Sequence, residues 1–224
     1  MRAIILDTEA TSVVEPHATQ IAWTAIDFNK AAIKRVGAAY SQNFNPLKPI
    51  SFGAMATTGI CDEDVKDCPP HTIFKLPEGL EYIIGHNIDF DCQVLANAGC
   101  DLSNIKRICT LALSRKYYPD TDSHSLLAML YLLDYQTARN LASEAHDAMY
   151  DVHFTYCVLD KICGHVGITT LEQLYELSEQ ARVPEFISFG KHKGMAIKDL
   201  PSDYVNWLLR QPDMDPYLRK ALEQ

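Results

Sequence analysis

The sequence lacks a long apolar run and a C-x-x-C motif, and each absence excludes a class of protein. No stretch of its 224 residues reaches the ~20 consecutive apolar residues that a transmembrane helix needs. The seven cysteines are odd in number and lack zinc-ligand spacing, which disfavours a disulfide framework and a cysteine zinc site. Because only the short apolar run 3–6 precedes Asp7, we expect no signal peptide. Reduced thiols then predict a cytoplasmic protein, and the lack of a long apolar run predicts that it is not a membrane protein.

Positive charge is also scarce. The chain has 20 Lys and Arg against 29 Asp and Glu, a formal net charge of -9. This charge balance argues against nucleic-acid binding over the whole surface, although it is compatible with a local basic groove. Part of the acidic excess can be a carboxylate cluster that metal ions neutralise. The 47% hydrophobic content is ample for one packed domain with a small appendage.

The hydrophobic pattern predicts strands in the first part of the chain and helices in the second. Strands are predicted for AIILD (3–7), QIAWTAIDF (20–28), GAAYSQNFNP (37–46) and LEYIIGHN (80–87), the first three as an antiparallel meander. Helices are predicted for FDCQVLANAG (90–99), CTLALSRKYYP (109–119), SLLAMLYLLD (125–134) and residues 143–163. We expect Gly164 to end the last of these helices.

The pattern changes after Gly167. Thr169 and Glu172 have the spacing of a capping box before a short helix, and the sequence ARVPEF (181–186) is typical of a linker. ISFGKHKGMAIKDLP predicts two short strands around a basic turn. We therefore predict a first domain over residues 1–165, a linker helix over 166–185 and a small α+β module over 186–224.

Two carboxylates follow the first apolar run. Side chains at positions i and i+2 of a strand point to the same face, so Asp7 and Glu9 lie side by side. Like charges in this arrangement repel each other, and something has to compensate them. Solvent at the end of a strand is one explanation, and a bound metal ion is the other.

Further acids occur where other predicted elements begin. Asp91 lies at the start of a helix, and His146 and Asp151 belong to the amphipathic segment 143–163. Taken singly, Asp91 suits the helix dipole, and the other two suit an exposed helix end. Taken together, they offer the hard oxygen ligands that Mg²⁺ and Mn²⁺ prefer, with a histidine near neutral pKa as a proton acceptor. Two such ions can bracket a phosphodiester during hydrolysis.

The order of these motifs resembles a known family. DTE, HNIDFD and HDAMYD resemble the three motifs of the DEDD 3′→5′ exonucleases, also called the DnaQ-like family. The resemblance implies that Asp7 and Glu9 (first motif), Asp91 (second) and Asp151 (third) are catalytic and hold metal. It also implies that His146 is the general base of the histidine subclass.

The resemblance carries further expectations. It implies a ribonuclease H-like α/β fold, a mixed five-stranded sheet flanked by helices, over about residues 1–165. It implies two Mg²⁺ (or Mn²⁺) ions and release of mononucleotides from the 3′ end of a nucleic acid. The segment ISFGKHKGMAIKDLPSDYVNWLL resembles the small carboxy-terminal module of the exodeoxyribonuclease X group, which favours DNA with a free 3′ end as the substrate.

Nucleic-acid contacts are predicted at two places. Ala10 and Thr11 directly follow the first motif, where the family's backbone approaches the terminal nucleotide. Lys191 and Lys193 belong to a glycine-bounded cationic turn, and cations in a row repel one another without an anion.

Several alternatives stay open at this point. An exoribonuclease of the oligoribonuclease or RNase T kind has the same motifs, a proofreading subunit is possible, and a non-catalytic nucleic-acid-binding module would have lost its active site. A homodimer is also possible. Zinc held through His146 is disfavoured, because no second His or Cys lies at ligand spacing. The chain departs from its relatives with Ser12 in place of glycine, Gln20 where an acid is frequent and Thr58 where histidine is frequent.

Overall fold

A computed structural model describes residues 2–29, 32–187, 189–212 and 214–223 of this protein. By its internal packing the chain divides into two compact units, Met1–Ser178 and Glu179–Gln224. The division falls inside a helix that lies within the predicted linker segment 166–185. The three-part domain organisation stays a prediction.

The first unit is built on a five-stranded mixed sheet. Its strands are β1 (Ala3–Ala10), β2 (Ala18–Asn29), β3 (Ala32–Asn43), β4 (Tyr82–Gly85) and β5 (Lys106–Cys109), in the spatial order β3-β2-β1-β4-β5. The first three form an antiparallel meander, whereas β4 pairs parallel to β1 and β5 pairs parallel to β4. The predicted fold class, a mixed five-stranded sheet flanked by helices, is confirmed.

Strand β1 lies in the middle of the sheet, and its sequence explains why. Ile4, Ile5 and Leu6 are fully buried, as expected for a central strand covered on both faces. The strand continues beyond the apolar run to Ala10, so Asp7 and Glu9 lie inside it. The prediction that β1 ends at Asp7 is therefore wrong. Pairing with β2 continues past the apolar residues and keeps the strand extended.

Strand β5 and helix Tyr135–Leu141 are among the elements that the sequence pattern did not predict. Residues 106–109, KRIC, are too few for an alternation signal, and only the family resemblance implied a fifth strand. Helix Tyr135–Leu141 follows Asp134, whose carboxylate accepts a hydrogen bond from the Thr137 N–H, and no long apolar periodicity marks it.

Helices surround the sheet. In chain order they are α1 (Phe52–Thr58), α2 (Asp62–Val65), α3 (Ile88–Asn97), α4 (Thr110–Tyr117), α5 (Leu126–Leu133), α6 (Tyr135–Leu141), α7 (Ala148–Val166) and α8 (Leu171–Arg182). The long helix α7 packs on β1, β2 and β3, while α3 packs on β1, β4 and β5. Short 3₁₀ turns cover His71–Ile73 and Ala142–Glu144.

The predicted ends of two helices need correction. Helix α7 continues through Gly164 and ends at Gly167, whose φ of 79° is the left-handed conformation that glycine adopts without strain. At the next helix, Gln173 replaces the predicted Thr169–Glu172 pair. Its side chain accepts from the Thr169 N–H (3.0 Å), and its backbone N–H donates to Thr170 Oγ1 (3.1 Å). Glu172 is bound to Arg2 instead.

The second unit has a small core of its own. Helices α9 (Ser202–Leu209) and α10 (Pro216–Leu222) and the 3₁₀ turns Gly190–His192 and Ile197–Asp199 surround that core. Its buried members are Ile187, Ile197, Leu200, Leu208 and Leu218. The two short strands predicted here are reduced to a single antiparallel bridge between Phe186 and Ala196, and Ser188, within the predicted first strand, lies outside the described residues.

Candidate active site

The sheet leaves a notch beside the second half of β1. Strand β4 pairs with β1 only as far as Ile5 opposite Ile84, and it ends at Gly85. Beyond that point β1 continues for five residues with β2 on one side only. Asp7 and Glu9 lie in this stretch, paired with Ala22 and Gln20 of β2 on one side and beyond the end of the pairing with β4 on the other. The first motif is therefore placed where other side chains can reach it.

Asp91 reaches this region from the first turn of α3. Its side chain is 3% exposed, and Thr8 Oγ1 donates a hydrogen bond to its Oδ1 at 2.8 Å. Thr8 lies between the two acids of the first motif and points to the opposite face from them. The second motif is thus tied directly to β1 by a buried hydrogen bond.

The third motif surrounds the beginning of α7. His146 is exposed and has a φ of 69°, an unusual backbone conformation for a residue other than glycine. Asp147 is the N-cap and accepts from the Met149 N–H (2.9 Å) and the Tyr150 N–H (3.3 Å). Asp151 follows in the first turn, half-buried, on the side facing the sheet. A strained backbone such as that of His146 is frequent at functional sites.

The structure brings residues of the first and third motifs together. One ligand atom from each of Glu9, His146 and Asp151 lies within 4.8 Å of the others, a spacing that suits a single cation. Asp7 and Asp91 lie close enough to Asp151 that its charge raises the pKa of both. All five predicted catalytic residues therefore converge on one place from three elements.

Burial and mutual repulsion shift the titration of these acids. Burial is the main cause, and neighbouring carboxylates add to it: the pKa of Glu9 rises to about 8, that of Asp91 to about 7 and that of Asp151 to about 6. The pKa of Asp7 rises well above its usual value for the same reasons. Within the described residues, no Lys or Arg forms an ion pair with any of the four carboxylates.

This donor set fits a hard divalent cation. Four buried or half-buried carboxylates that lack a Lys or Arg partner among the described residues are unfavourable as anions, and a bound cation would compensate their charge. Carboxylate oxygens are the ligands that Mg²⁺ and Mn²⁺ prefer. The cluster therefore has both the chemistry and the unbalanced charge of a metal site.

Sequence reasoning missed the residue that holds the third motif in place. Gln20 of β2 is buried, its Nε2 donates to Asp147 Oδ2 at 3.1 Å, and its Oε1 accepts from the Ala148 N–H at 2.9 Å. One amide thus supplies a donor and an acceptor to the first residues of α7. The only signal in the sequence was that Gln20 replaces a frequent acid.

The predicted nucleic-acid contacts are placed as follows. Ala10 and Thr11 are buried, and the groups of Thr11 are engaged within the protein: its N–H with His17 O (3.0 Å), its Oγ1 with the His17 N–H (3.2 Å) and its carbonyl with the Ser51 N–H (2.9 Å). A direct contact of these two residues with nucleic acid stays a prediction. Lys191 and Lys193 are exposed and belong to the second unit.

The acidic motifs lie in a segment that matches a known protein family. The family model described as Exonuclease (RNase_T) matches residues 4–159, which include all three acidic motifs. The chain belongs to this exonuclease family. The resemblance noted in the sequence is confirmed, and the protein is an enzyme, a phosphodiester hydrolase of the 3′→5′ exonuclease class.

Curated relatives of this exonuclease differ in the share of their own length that the alignment covers. Exodeoxyribonuclease 10 of Escherichia coli (strain K12) is 31% identical over 189 residues, which cover 80% of each protein. DNA polymerase III PolC-type of Bacillus subtilis (strain 168) is 25% identical over 185 residues, 79% of this chain and 12% of the polymerase.

Solved structures agree with the fold of this exonuclease. Exonuclease X in complex with 5′ overhanging duplex DNA matches with a TM-score of 0.60 and 27% identity, over 79% of this chain and 99% of that one. E. coli Exonuclease I in complex with a dA16 oligonucleotide has a TM-score of 0.58 at 19% identity, a likeness of fold alone, over 82% and 44% of the two chains. Among the described helices of the exonuclease, none is both long enough and apolar enough to cross a bilayer.

Proposed function

We propose that this exonuclease hydrolyses DNA from a free 3′ end and releases mononucleotides with the help of two Mg²⁺ (or Mn²⁺) ions. The observation that carries the proposal is the convergence of Asp7, Glu9, Asp91 and Asp151 with His146 at the open edge of β1. DNA is the proposed substrate because a relative named exodeoxyribonuclease aligns over 80% of the chain.

The carboxylates would hold the metal. Glu9 and Asp151 offer oxygens to one position, and Asp7 and Asp91 complete the cluster. When bound, the ions supply Lewis acidity, activation of water and stabilisation of the leaving oxygen. The protein's own contribution is a rigid arrangement, with Asp91 fixed by Thr8 and the start of α7 fixed by Gln20.

His146 is proposed as the general base. Its ring is exposed at the margin of the cluster, so a water molecule beside the substrate can reach it. A neutral imidazole accepts a proton near physiological pH and returns it to solvent. One nitrogen of the same ring lies within 4.8 Å of carboxylate oxygens of Glu9 and Asp151, so the three could share one ion, and metal affinity has to be measured together with turnover to separate a base from a ligand.

A direct test compares end-labelled substrates. We expect Mg²⁺-dependent shortening of 5′-labelled single-stranded DNA from its 3′ end, immediate release of a 3′ label as a mononucleotide, and no reaction of a circular single strand. Duplex DNA and RNA of the same sequence are the matched controls. Cleavage of the circle at a comparable rate would contradict the proposal.

Two other outcomes would replace the proposal. Faster hydrolysis of RNA than of DNA would favour an exoribonuclease, whose motifs are the same. Tight DNA binding without hydrolysis in either metal would favour a non-catalytic binding module. A homodimer stays a prediction, and sedimentation of the metal-free and metal-bound protein tests it.

A further inference from the structure

A surface of the second unit joins aromatic rings to cations, and no step of the proposed hydrolysis uses it. Trp207 is 52% exposed and stacks on Tyr204, with ring centroids 5.5 Å apart and planes inclined by 25°. The ring of His192 lies 4.4 Å from that of Tyr204, and Lys191 Nζ lies 5.6 Å from the centre of the same ring. We call these four residues the aromatic–cationic surface.

The backbone holds this surface in one conformation. Gly190 has a φ of 65°, and a Cβ at this position would lie 3.2 Å from the Tyr204 hydroxyl. Gly194 has a φ of 86°, and its N–H donates across the turn to Ile187 O at 2.7 Å. Both glycines are therefore required by the shape of the turn. The turn thus places Lys191 and His192 beside Tyr204 before a ligand binds, which reduces the entropy lost on binding.

The charge of the second unit differs from that of the first. Residues 179–224 contain seven Lys and Arg and seven Asp and Glu, so the whole excess of nine negative charges lies in residues 1–178. Lys191 and Lys193 are exposed and form no ion pair with any described residue. The second unit carries no net charge, so it does not repel an anionic ligand that approaches the turn.

We propose that the aromatic–cationic surface, together with Lys193 of the same turn, binds single-stranded DNA, with a base stacked on Trp207 and neighbouring phosphates at Lys191 and Lys193. The inference rests on the proposed function, which makes DNA the substrate. A flat, half-exposed indole backed by a second ring is a stacking platform for any base, and the lysines match the phosphate backbone. Bases inside a duplex are already stacked and paired, so the single strand is the form that fits.

Binding is measured without cleavage. The full-length chain carries Asp7→Asn, and the buffer contains a chelator, so the oligonucleotide stays intact. The anisotropy of a 5′-labelled oligo(dT) gives Kd for this background and for the same background with Trp207→Ala, Trp207→Phe or the pair Lys191→Ala and Lys193→Ala. A blunt duplex is the matched ligand control.

Removing the indole should weaken single-strand binding by about 5- to 150-fold, the usual loss for a stacking aromatic. Trp207→Phe keeps a ring and should lose much less. The double lysine variant should lower the slope of log Kd against log salt concentration by about 1.4, because each phosphate contact on a single strand contributes about 0.7 to that slope. Duplex binding should change little with Trp207→Ala.

A second readout does not depend on a variant that removes the ring. In a Trp23→Phe background, Trp207 is the only tryptophan of the chain, and unlabelled oligo(dT) should quench its fluorescence. Absence of quenching together with an unchanged Kd in the double lysine variant would overturn the inference. Cleavage by a protein that fails this test leaves the proposed function intact, whereas binding without cleavage in the unsubstituted chain contradicts the proposed function alone.

Discussion

At the scale of single residues, the cluster is defined by repulsion between carboxylates that no Lys or Arg among the described residues neutralises. Burial raises the pKa of Asp7, and the charges of Asp91, Asp151, Glu9 and Asp147 raise it further. The raised pKa means that its charge is unfavourable in the metal-free protein, and a bound cation would compensate that charge. Its substitution should therefore have opposite effects on function and on the stability of the metal-free protein.

Asp7→Asn should abolish Mg²⁺-dependent cleavage and raise the Tm of the metal-free protein at pH 8. The amide keeps the size of the side chain and removes one of the repelling charges. The gain in Tm on adding Mg²⁺ should largely disappear in the same variant. Calorimetric melts with and without metal measure both effects, with Asp89→Asn, an exposed acid of the same helix turn as Asp91, as the control. Substantial cleavage by folded Asp7→Asn protein would rule out its assignment as a metal ligand.

Without the imidazole of His146 the protein should still fold but lose most of its turnover. His146→Asn keeps a side chain that accepts the left-handed backbone at φ 69°, so folding should be preserved. Turnover should fall by about 10²–10⁴-fold, the usual effect of removing a general base. Metal affinity from a fluorescence or calorimetric titration should persist. A collapse of metal affinity with this variant would make His146 a ligand instead.

At the scale of elements, the site depends on how α7 is fixed to the sheet. Gln20 of β2 forms hydrogen bonds with Asp147 and with the Ala148 N–H. These bonds fix the start of α7 to a strand residue that lies 127 and 128 positions earlier in the sequence. His146 and Asp151 lie on either side of this anchor. A second anchor holds the β4–α3 connection: His86 bonds to Thr110 and to the His124 carbonyl.

Gln20→Glu should lower turnover while leaving the Michaelis constant for DNA nearly unchanged. A carboxylate cannot donate to Asp147 and adds a charge next to the cluster. The start of α7 is then held less firmly, so Asp151 should move away from its place in the cluster. Leaving a buried partner unpaired costs about 1–3 kcal/mol of unfolding free energy. Adding Asp147→Asn supplies a new donor and keeps the N-cap acceptor, so the double variant should recover activity. A double-mutant cycle on turnover with no coupling energy would exclude this positioning role.

At the scale of the whole molecule, metal binding should be linked to pH. The pKa of Glu9 is about 8 in the folded protein against an ordinary 4.5, so folding favours its protonated form. The stability that this group contributes is complete below its unfolded pKa and is lost as the pH rises through about 8. A bound cation reverses the preference, because it competes with the proton for the carboxylate.

We therefore expect the Tm of the metal-free protein to fall between pH 7 and pH 9, while the apparent Mg²⁺ affinity rises over the same range. Thermal melts and a metal titration at several pH values measure the two trends. This window avoids acidic conditions, in which His86, whose pKa is lowered by burial to about 4, destabilises the fold by protonation. A Tm without pH dependence in this window, or an affinity that falls with pH, would contradict the linkage.

The sequence by itself determined the local parts of this protein. Alternation and apolar runs identified β1, β2, β4 and α7, because the side-chain periods of strands and helices are properties of a few consecutive residues. The order of the three acidic motifs was sufficient for the family. The ends of elements were less accessible: α7 passes Gly164 because its cap bond, from the Gly167 N–H to Cys163 O, forms one turn later.

Only the tertiary structure decided how these parts meet. The notch beside β1 exists because β4 stops at Gly85, and the support of α7 by Gln20 joins residues that no local pattern connects. The same holds for the stack of Tyr204, Trp207 and His192 in the second unit. Local spacing fixes which face of a helix or strand a side chain occupies, whereas distances between separate elements depend on packing of the whole chain.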